Sequence, residues 1–205
     1  MRPKLVFLAF ALTCFIGCNN SGFKEGAGGL LYNIRIDKKS PEIKIGDFVS
    51  FNLVTKTEGD SVLFSTYKVG RPITLTLREP EKKGDFLSAL QLLSEGDSAT
   101  VKINIDSATK TGAPRLLASG KYIIYEVNIE KVIARTYLTS TEFKDKVTSY
   151  LEGQTNQLKK AEPVKIKKYI DDNALKVTTT PSGLNYLLTK EGTGPTAIPK
   201  LINAV

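Results

Sequence analysis

Two cysteines and no histidine narrow the covalent chemistry open to this 205-residue chain. Without histidine the commonest general base is missing, and with it the serine triads that use it and most zinc sites. The cysteines stand at 14 and 18, within and just past an apolar N-terminal run. If one is lost by processing and the other modified, neither a disulfide nor a thiol nucleophile remains. Hydrolase and metalloenzyme chemistry is therefore disfavoured, and neither a metal nor a cofactor is expected. What remains is acylation of one cysteine, and non-covalent work on a bound ligand.

Arg2 and Lys4 form a short basic region, and Leu5 to Ile16 an apolar one of twelve residues. Twelve helical residues rise only about 18 Å against a hydrocarbon core of roughly 30 Å, so residues 1–17 read as a secretion signal rather than a spanning anchor. The run "FIGCNN" follows, with Gly17 directly before Cys18. It resembles a bacterial lipobox, with Phe15 where an aliphatic residue is usual. Cys14 is the poorer candidate because Thr13 precedes it. Lipidation of Cys18 implies an envelope protein held on a membrane, periplasmic or surface-facing, by acyl chains worth about 0.8 kcal/mol per buried CH₂. The alternative is an ordinary signal cleaved elsewhere, with Cys18 incidental. Cleavage takes away Arg2 and Lys4 and lowers the net charge from +8 to +6. The densest basic run, Lys159, Lys160, Lys165, Lys167 and Lys168, reads as the solvated face of a helix or as attraction to anionic lipid. No aromatic residues interleave those lysines, so no nucleic-acid partner is expected.

Residues 18–28, glycine-rich from Ser21, read as a lipidated tether. Beyond them the apolar period is two. Leu30, Tyr32 and Ile34 alternate with other residues, as do Val49, Phe51 and Leu53, and then Ile73, Leu75 and Leu77. Ala99, Val101, Ile103 and Ile105 continue the pattern, and Ile123, Tyr125, Val127 and Ile129 close it. Each series fits a half-buried strand. One segment differs: "GDFLSALQLLSEGD" places Phe86, Leu90 and Leu93 at helical spacing before Gly96. The expected fold is α+β, an antiparallel sheet of about five strands wrapped on one central helix. After Val132 the period becomes helical. Thr139 and Glu142 have capping-box spacing, and Phe143, Val147, Tyr150 and Leu151 form a stripe. Pro163 kinks or restarts this helix, and Ile166, Tyr169 and Ile170 form a second stripe. These stripes are expected to pack on the sheet domain or on a second copy of the chain, making a homodimer.

Laying Gly29 over Gly183 pairs Leu30 with Leu184, Tyr32 with Tyr186, Ile34 with Leu188 and Pro41 with Pro195, all at an offset of 154. Glycine opens a strand, alternating apolar residues bury one face, and proline closes a turn, so the tail reads as the start of a repeat.

The blocks "GDFVSFNLVTKTEGD", "GDFLSALQLLSEGDSATVKINIDS" and "YIIYEVNIEKV" resemble, in order, successive parts of an FKBP-type peptidylprolyl isomerase. "TPSGLNYLLTKEGTGP" resembles the first strand of such a domain. The resemblance covers about Gly29 to Ile133 and Val177 to Pro195. Together with the signal at 1–17, the tether at 18–28 and the helical linker at 135–176 read above, it implies an FKBP-like domain at 29–134 and a truncated start of a second such domain at 177–205. The implied reaction is rotation about the bond before proline, with a barrier of roughly 18–20 kcal/mol and no covalent step. Its substrates are prolyl-containing unfolded or exported polypeptides.

The resemblance also places a peptide-binding cup at Phe51, Leu53, Phe64, Phe86, Ile103 and Tyr125. Leu53 stands where the family has tyrosine, and the family's Phe-Asp pair falls on Leu63-Phe64, or on Phe64-Ser65 if slid by one. Another family tyrosine falls near Thr109, in the segment "SATKTGAPRLLASG". The apolar cup is kept while the polar orienting groups are replaced, which implies an isomerase or folding chaperone of weak activity. A non-catalytic peptide-binding or assembly lipoprotein is the alternative, as is a remnant of a two-domain isomerase.

Overall fold

The computed structural model describes residues 22–105 and 120–194; the signal, Cys18, Thr109 with its loop, and the residues from Pro195 onward lie outside them. The chain divides into two units, Met1–Val147 and Thr148–Val205.

The first unit is an antiparallel sheet of seven strands among the described residues. They are β1 (Lys24–Glu25), β2 (Leu31–Ile36), β3 (Phe48–Thr57), β4 (Val62–Ser65), β5 (Ile73–Thr76), β6 (Ser98–Asn104) and β7 (Tyr122–Ile133). Their order is β1-β2-β6-β7-β3-β4, with β5 beside the first half of β3. A four-residue helix, α1 (Thr66–Val69), joins β4 to β5, and α2 (Phe86–Leu90) is the central helix. The fold is the α+β sheet-on-helix arrangement that the alternation predicts. Leu30, Val49, Phe51, Leu53, Leu77, Ala99, Val101, Ile103, Ile105, Val127 and Ile129 are all buried.

Two differences from the expected strands have local causes. Within the stretch read as tether, β1 pairs with β2: Lys24 stands opposite Tyr32 and Glu25 opposite Leu31. Its glycines make the turn that closes this hairpin, rather than a loose coil. Gly28, with φ of +66°, lies so close to the next loop that a Cβ would sit 2.0 Å from the Lys83 carbonyl oxygen. The other addition is β4, whose "VLFS" run does not alternate in burial because its first three residues are exposed. Helix α2 is also shorter than its stripe. Asp85 caps it by accepting from the Ser88 amide at 2.8 Å, and Leu93, buried, follows in a turn.

Two Gly-Asp turns brace the sheet in the same way. Buried Asp47 accepts from the Lys44 amide at 2.9 Å and from the Arg135 amide at 2.8 Å. Buried Asp97 accepts from the Ser94 amide at 2.8 Å and the Lys38 amide at 2.7 Å. Each carboxylate is satisfied by backbone donors from two loops, which is what makes its burial tolerable.

Helix α3 (Ser140–Asp172) starts in the first unit and runs into the second. The predicted capping box forms: Glu142 donates its amide to the Thr139 hydroxyl at 3.2 Å and accepts the Thr139 amide at 2.8 Å. The helix continues through Pro163 without restarting, and none of its residues is buried. Phe143, Val147, Tyr150, Leu158 and Ile170 are half-buried along it, and Arg135 lies over the Phe143 ring at 5.2 Å. A ring without an N–H takes one hydrogen bond from the ladder, a loss that water repairs on a helix exposed at that turn. The helix ends with Ala174 left-handed, at φ of +48°, and with the Leu175 amide donating to the Ile170 carbonyl at 3.0 Å.

The second unit closes with a hairpin of β8 (Thr178–Thr179) and β9 (Asn185–Tyr186). Thr178 pairs with Tyr186 and Thr179 with Asn185, so both pairs equal those of β1 and β2 moved by 154 positions. The turn bonds follow the same offset. Gly26 N–H donates to the Leu30 carbonyl at 2.8 Å, and Thr180 N–H to the Leu184 carbonyl at 2.9 Å. Gly29 and Gly183 both take positive φ, +78° and +88°.

Candidate functional site

Strand alternation and register put the six cup residues together on the helix-facing side of the sheet. Phe51 and Leu53 are two apart on β3, and Leu53 stands opposite Val127 on β7. Tyr125 is two residues before Val127, and faces Thr55 on one side and Val101 on the other. Ile103 lies two residues past Val101 on β6. Phe64 on β4 pairs with Thr55 from the opposite direction. Phe86 reaches the same side as the first residue of α2.

Burial divides the six. Phe51, Leu53 and Ile103 are buried, Phe86 and Tyr125 half-buried, and Phe64 is 40% exposed. The buried three are core. Phe86 and Tyr125 bridge two clusters: both pack on the one holding Phe51, Leu53 and Val127, and on the one holding Leu30, Ala89, Val101 and Ile103. The Phe86 ring lies 5.0 Å from Tyr125 at 40° and 5.7 Å from Phe51 at 49°. These tilted contacts are in the favourable range for aromatic pairs.

On the open side, Thr55 separates Phe64 from Tyr125. Two strand spacings of about 4.8 Å set those backbones roughly 10 Å apart, with the Thr55 side chain between them on the same face. Thr55 is a residue that the sequence reading missed. Its only signal was its place two residues past Leu53, and a threonine there reads as the polar end of a strand.

The polar groups differ from what the resemblance places here. Leu53 carries no hydroxyl, and Ser65 stands opposite Val54, on the other face of the sheet from Phe64 and Thr55. The register therefore brings Phe64 to the cup side without an acidic neighbour. Thr66, buried beside it, is used structurally: its Oγ1 accepts the Leu53 amide at 3.0 Å and donates to Asn52 Oδ1 at 2.8 Å. Burial pushes the Tyr125 hydroxyl above the ordinary tyrosine value, so it is a neutral hydrogen-bond donor at physiological pH. Among the described residues no three His, Cys, Asp or Glu side chains stand close enough together to hold a metal ion. No helix among them is long and apolar enough to cross a membrane.

The aromatic, uncharged surface made by these side chains offers no base or strong nucleophile. An amide laid against such rings would lose water. Planar amides owe their polarity to resonance, which twisting removes, so apolar surroundings favour the twisted form relative to water.

Residues 39–130 match the family model of FKBP-type peptidyl-prolyl cis-trans isomerase, 92 of the 205 residues. No curated protein matches the chain in sequence. Among solved structures it is similar to FkpA from Escherichia coli, at 20% identity and a TM-score of 0.48, over 56% of this chain and 53% of that one. A peptidyl-prolyl cis-trans isomerase from Pseudomonas syringae pv. tomato gives 20% identity and 0.47, over 57% and 84%. AtFKBP13 gives 18% and 0.45, over 54% and 98%. The chain thus spans about half the length of FkpA.

Proposed function

We propose that the sheet domain, whose residues 39–130 match the FKBP-type isomerase family, binds prolyl segments of unfolded or exported polypeptides in the aromatic cup and turns them over slowly. The observation that carries this is the half-buried pair Phe86 and Tyr125, tilted against each other at 5.0 Å, with Tyr125 across Thr55 from Phe64. A proline ring laid over Thr55, between Phe64 and Tyr125, meets apolar surface on both sides. The Tyr125 hydroxyl is the one titratable group of the six and the donor available to a flanking carbonyl. Slow uncatalysed isomerisation, over tens to hundreds of seconds, gives even a weak catalyst a use in folding. Weak turnover follows from Leu53 and Ser65, which supply no group to orient the substrate.

In this reading Cys18 carries the lipid and holds the domain at a membrane of the bacterial envelope. A second reading, a non-catalytic assembly protein that pairs through α3, is favoured by one observation: none of that helix's 33 residues is buried.

Prolyl tetrapeptide isomerisation and binding by the full chain test the first reading. We expect measurable prolyl-directed affinity with turnover far below that of a complete FKBP site. Tyr125→Phe should weaken peptide binding about three- to tenfold, the worth of one hydrogen bond. Full turnover would overturn the argument from Leu53 and Ser65. Absent affinity for prolyl peptides would overturn the cup and leave α3 as the working surface.

A further inference from the structure

The segment from Val62 to Val69 exposes apolar surface more densely than any other part of the described sheet unit. Val62, Leu63, Phe64, Tyr67 and Val69 are all exposed, Tyr67 at 61% and Val69 at 55%. In the rest of that unit, among the described residues, only Ile36, Ile45 and Tyr137 are large, apolar and exposed, and each stands apart in sequence. Scattered apolar residues need no explanation, but a run of five within eight positions marks an interaction surface.

The run is held in place. Thr66 is bonded to β3 through the Leu53 amide and Asn52 Oδ1, and α1 ends on Gly70, left-handed at φ of +81°, whose amide donates to the Thr66 carbonyl at 2.7 Å. Its apolar side chains are therefore presented from a fixed backbone. The strand also ends the sheet, since β4 is last in the order. Edge strands are commonly protected by lysine or proline, and β4 has neither. The other edge differs: β1 is two residues long, Lys24 and Glu25, both charged and exposed. At β4 the register shifts between Thr55 and Lys56, leaving Leu63 as the extra residue of a bulge.

We infer that β4 and α1 form a second docking strip, which takes an extended apolar polypeptide segment whether or not it contains proline. The strip extends the cup proposed above and depends on that reading for the second role of Phe64, which belongs to both. A strand edge offers backbone donors and acceptors, and a polypeptide can pair with them whereas lipid chains cannot. Charge narrows the partner further. From Ser61 to Arg71 the sequence has Lys68 and Arg71 and no acid, Arg78 beyond them being paired with Glu81, so a segment flanked by Asp or Glu fits best.

The test uses the full chain and two fluorescent peptides: a proline-free Val/Leu/Ser strand with acidic flanks, and a prolyl tetrapeptide. Tyr67→Glu combined with Val69→Glu should weaken the proline-free peptide at least tenfold and leave prolyl-peptide affinity within twofold. Both residues are exposed, so an unchanged melting temperature checks that the fold survives. Lys68→Glu with Arg71→Glu should weaken the same peptide and flatten its salt dependence. The strip is overturned if the wild type ignores the proline-free peptide, or if the Tyr67/Val69 variant binds it equally well. It is also overturned if these residues govern binding to anionic phospholipid vesicles instead. Loss of prolyl-peptide binding alone, with the proline-free peptide still bound, counts against the cup and not against the strip.

Discussion

At the scale of single residues, Tyr125 joins packing to a measurable titration. Burial holds its hydroxyl above the ordinary value near 10, so the folded protein resists an ionisation that the unfolded chain undergoes. The stability this gives is intact below that ordinary value and is lost as pH rises through the higher folded one. We expect alkaline unfolding of Tyr125→Phe to be shallower than wild type above pH of about 10, measured by chemical denaturation along a pH series. An identical slope would show that the ring's environment does not reach the hydroxyl. The aromatic members of the cup were legible because their blocks resemble a known family and because alternation assigns them a face. The sequence did not show which of them stay accessible. That depends on α2 covering Phe51, Leu53 and Ile103 while leaving Phe86 and Tyr125 at the seam of two clusters. Nor did it show which of Phe64 and Ser65 takes the helix-facing side, which the register across β3 and β4 reveals.

At the scale of elements, the strands with alternating apolar residues were legible and the others were not. Strands β2, β3, β5, β6 and β7 each carry a run of alternating apolar residues, whereas β1 is two charged residues beside glycines, and it exists only through its pairing with β2. The helices show the same split. The capping box before α3 was readable as a four-residue pattern, and the stripes along it mark the half-buried Phe143, Val147, Tyr150 and Ile170, although no residue of α3 is fully buried. Its cap is therefore open to direct measurement. Thr139→Ala removes the acceptor of the Glu142 amide and should cost the first turn about 1 kcal/mol, seen as roughly fivefold faster hydrogen exchange at that amide. Unchanged exchange would mean that the Arg135 contacts, to the Leu138 carbonyl and Ser140 Oγ, hold the helix start without the cap.

At the scale of the whole molecule, the sheet unit holds the buried core and the tail hairpin buries little: Leu184, Leu187 and Leu188 are exposed, and β8 pairs only with β9 among the described residues. Two-stranded hairpins are marginal alone. Deleting residues 177–205 should leave the melting temperature of the sheet unit within about 2 °C, since the loss is well under 1 kcal/mol. A fall of many degrees would show that the tail contributes to that unit's stability. The duplicated hairpin also sets the chain a problem of identity. Two segments of one polypeptide carry the same strand register, yet only one belongs on the β6 edge. Gly28 tells them apart, for its counterpart at the same offset is Ser182, and the seat beside the Lys83 carbonyl has no room for a Cβ. A serine Cβ would meet that carbonyl, so of the two hairpins only the first fits the seat. Gly28→Ser would erase the distinction. We expect the variant to refold from denaturant in several phases where the wild type shows one, and deletion of the tail to restore a single phase.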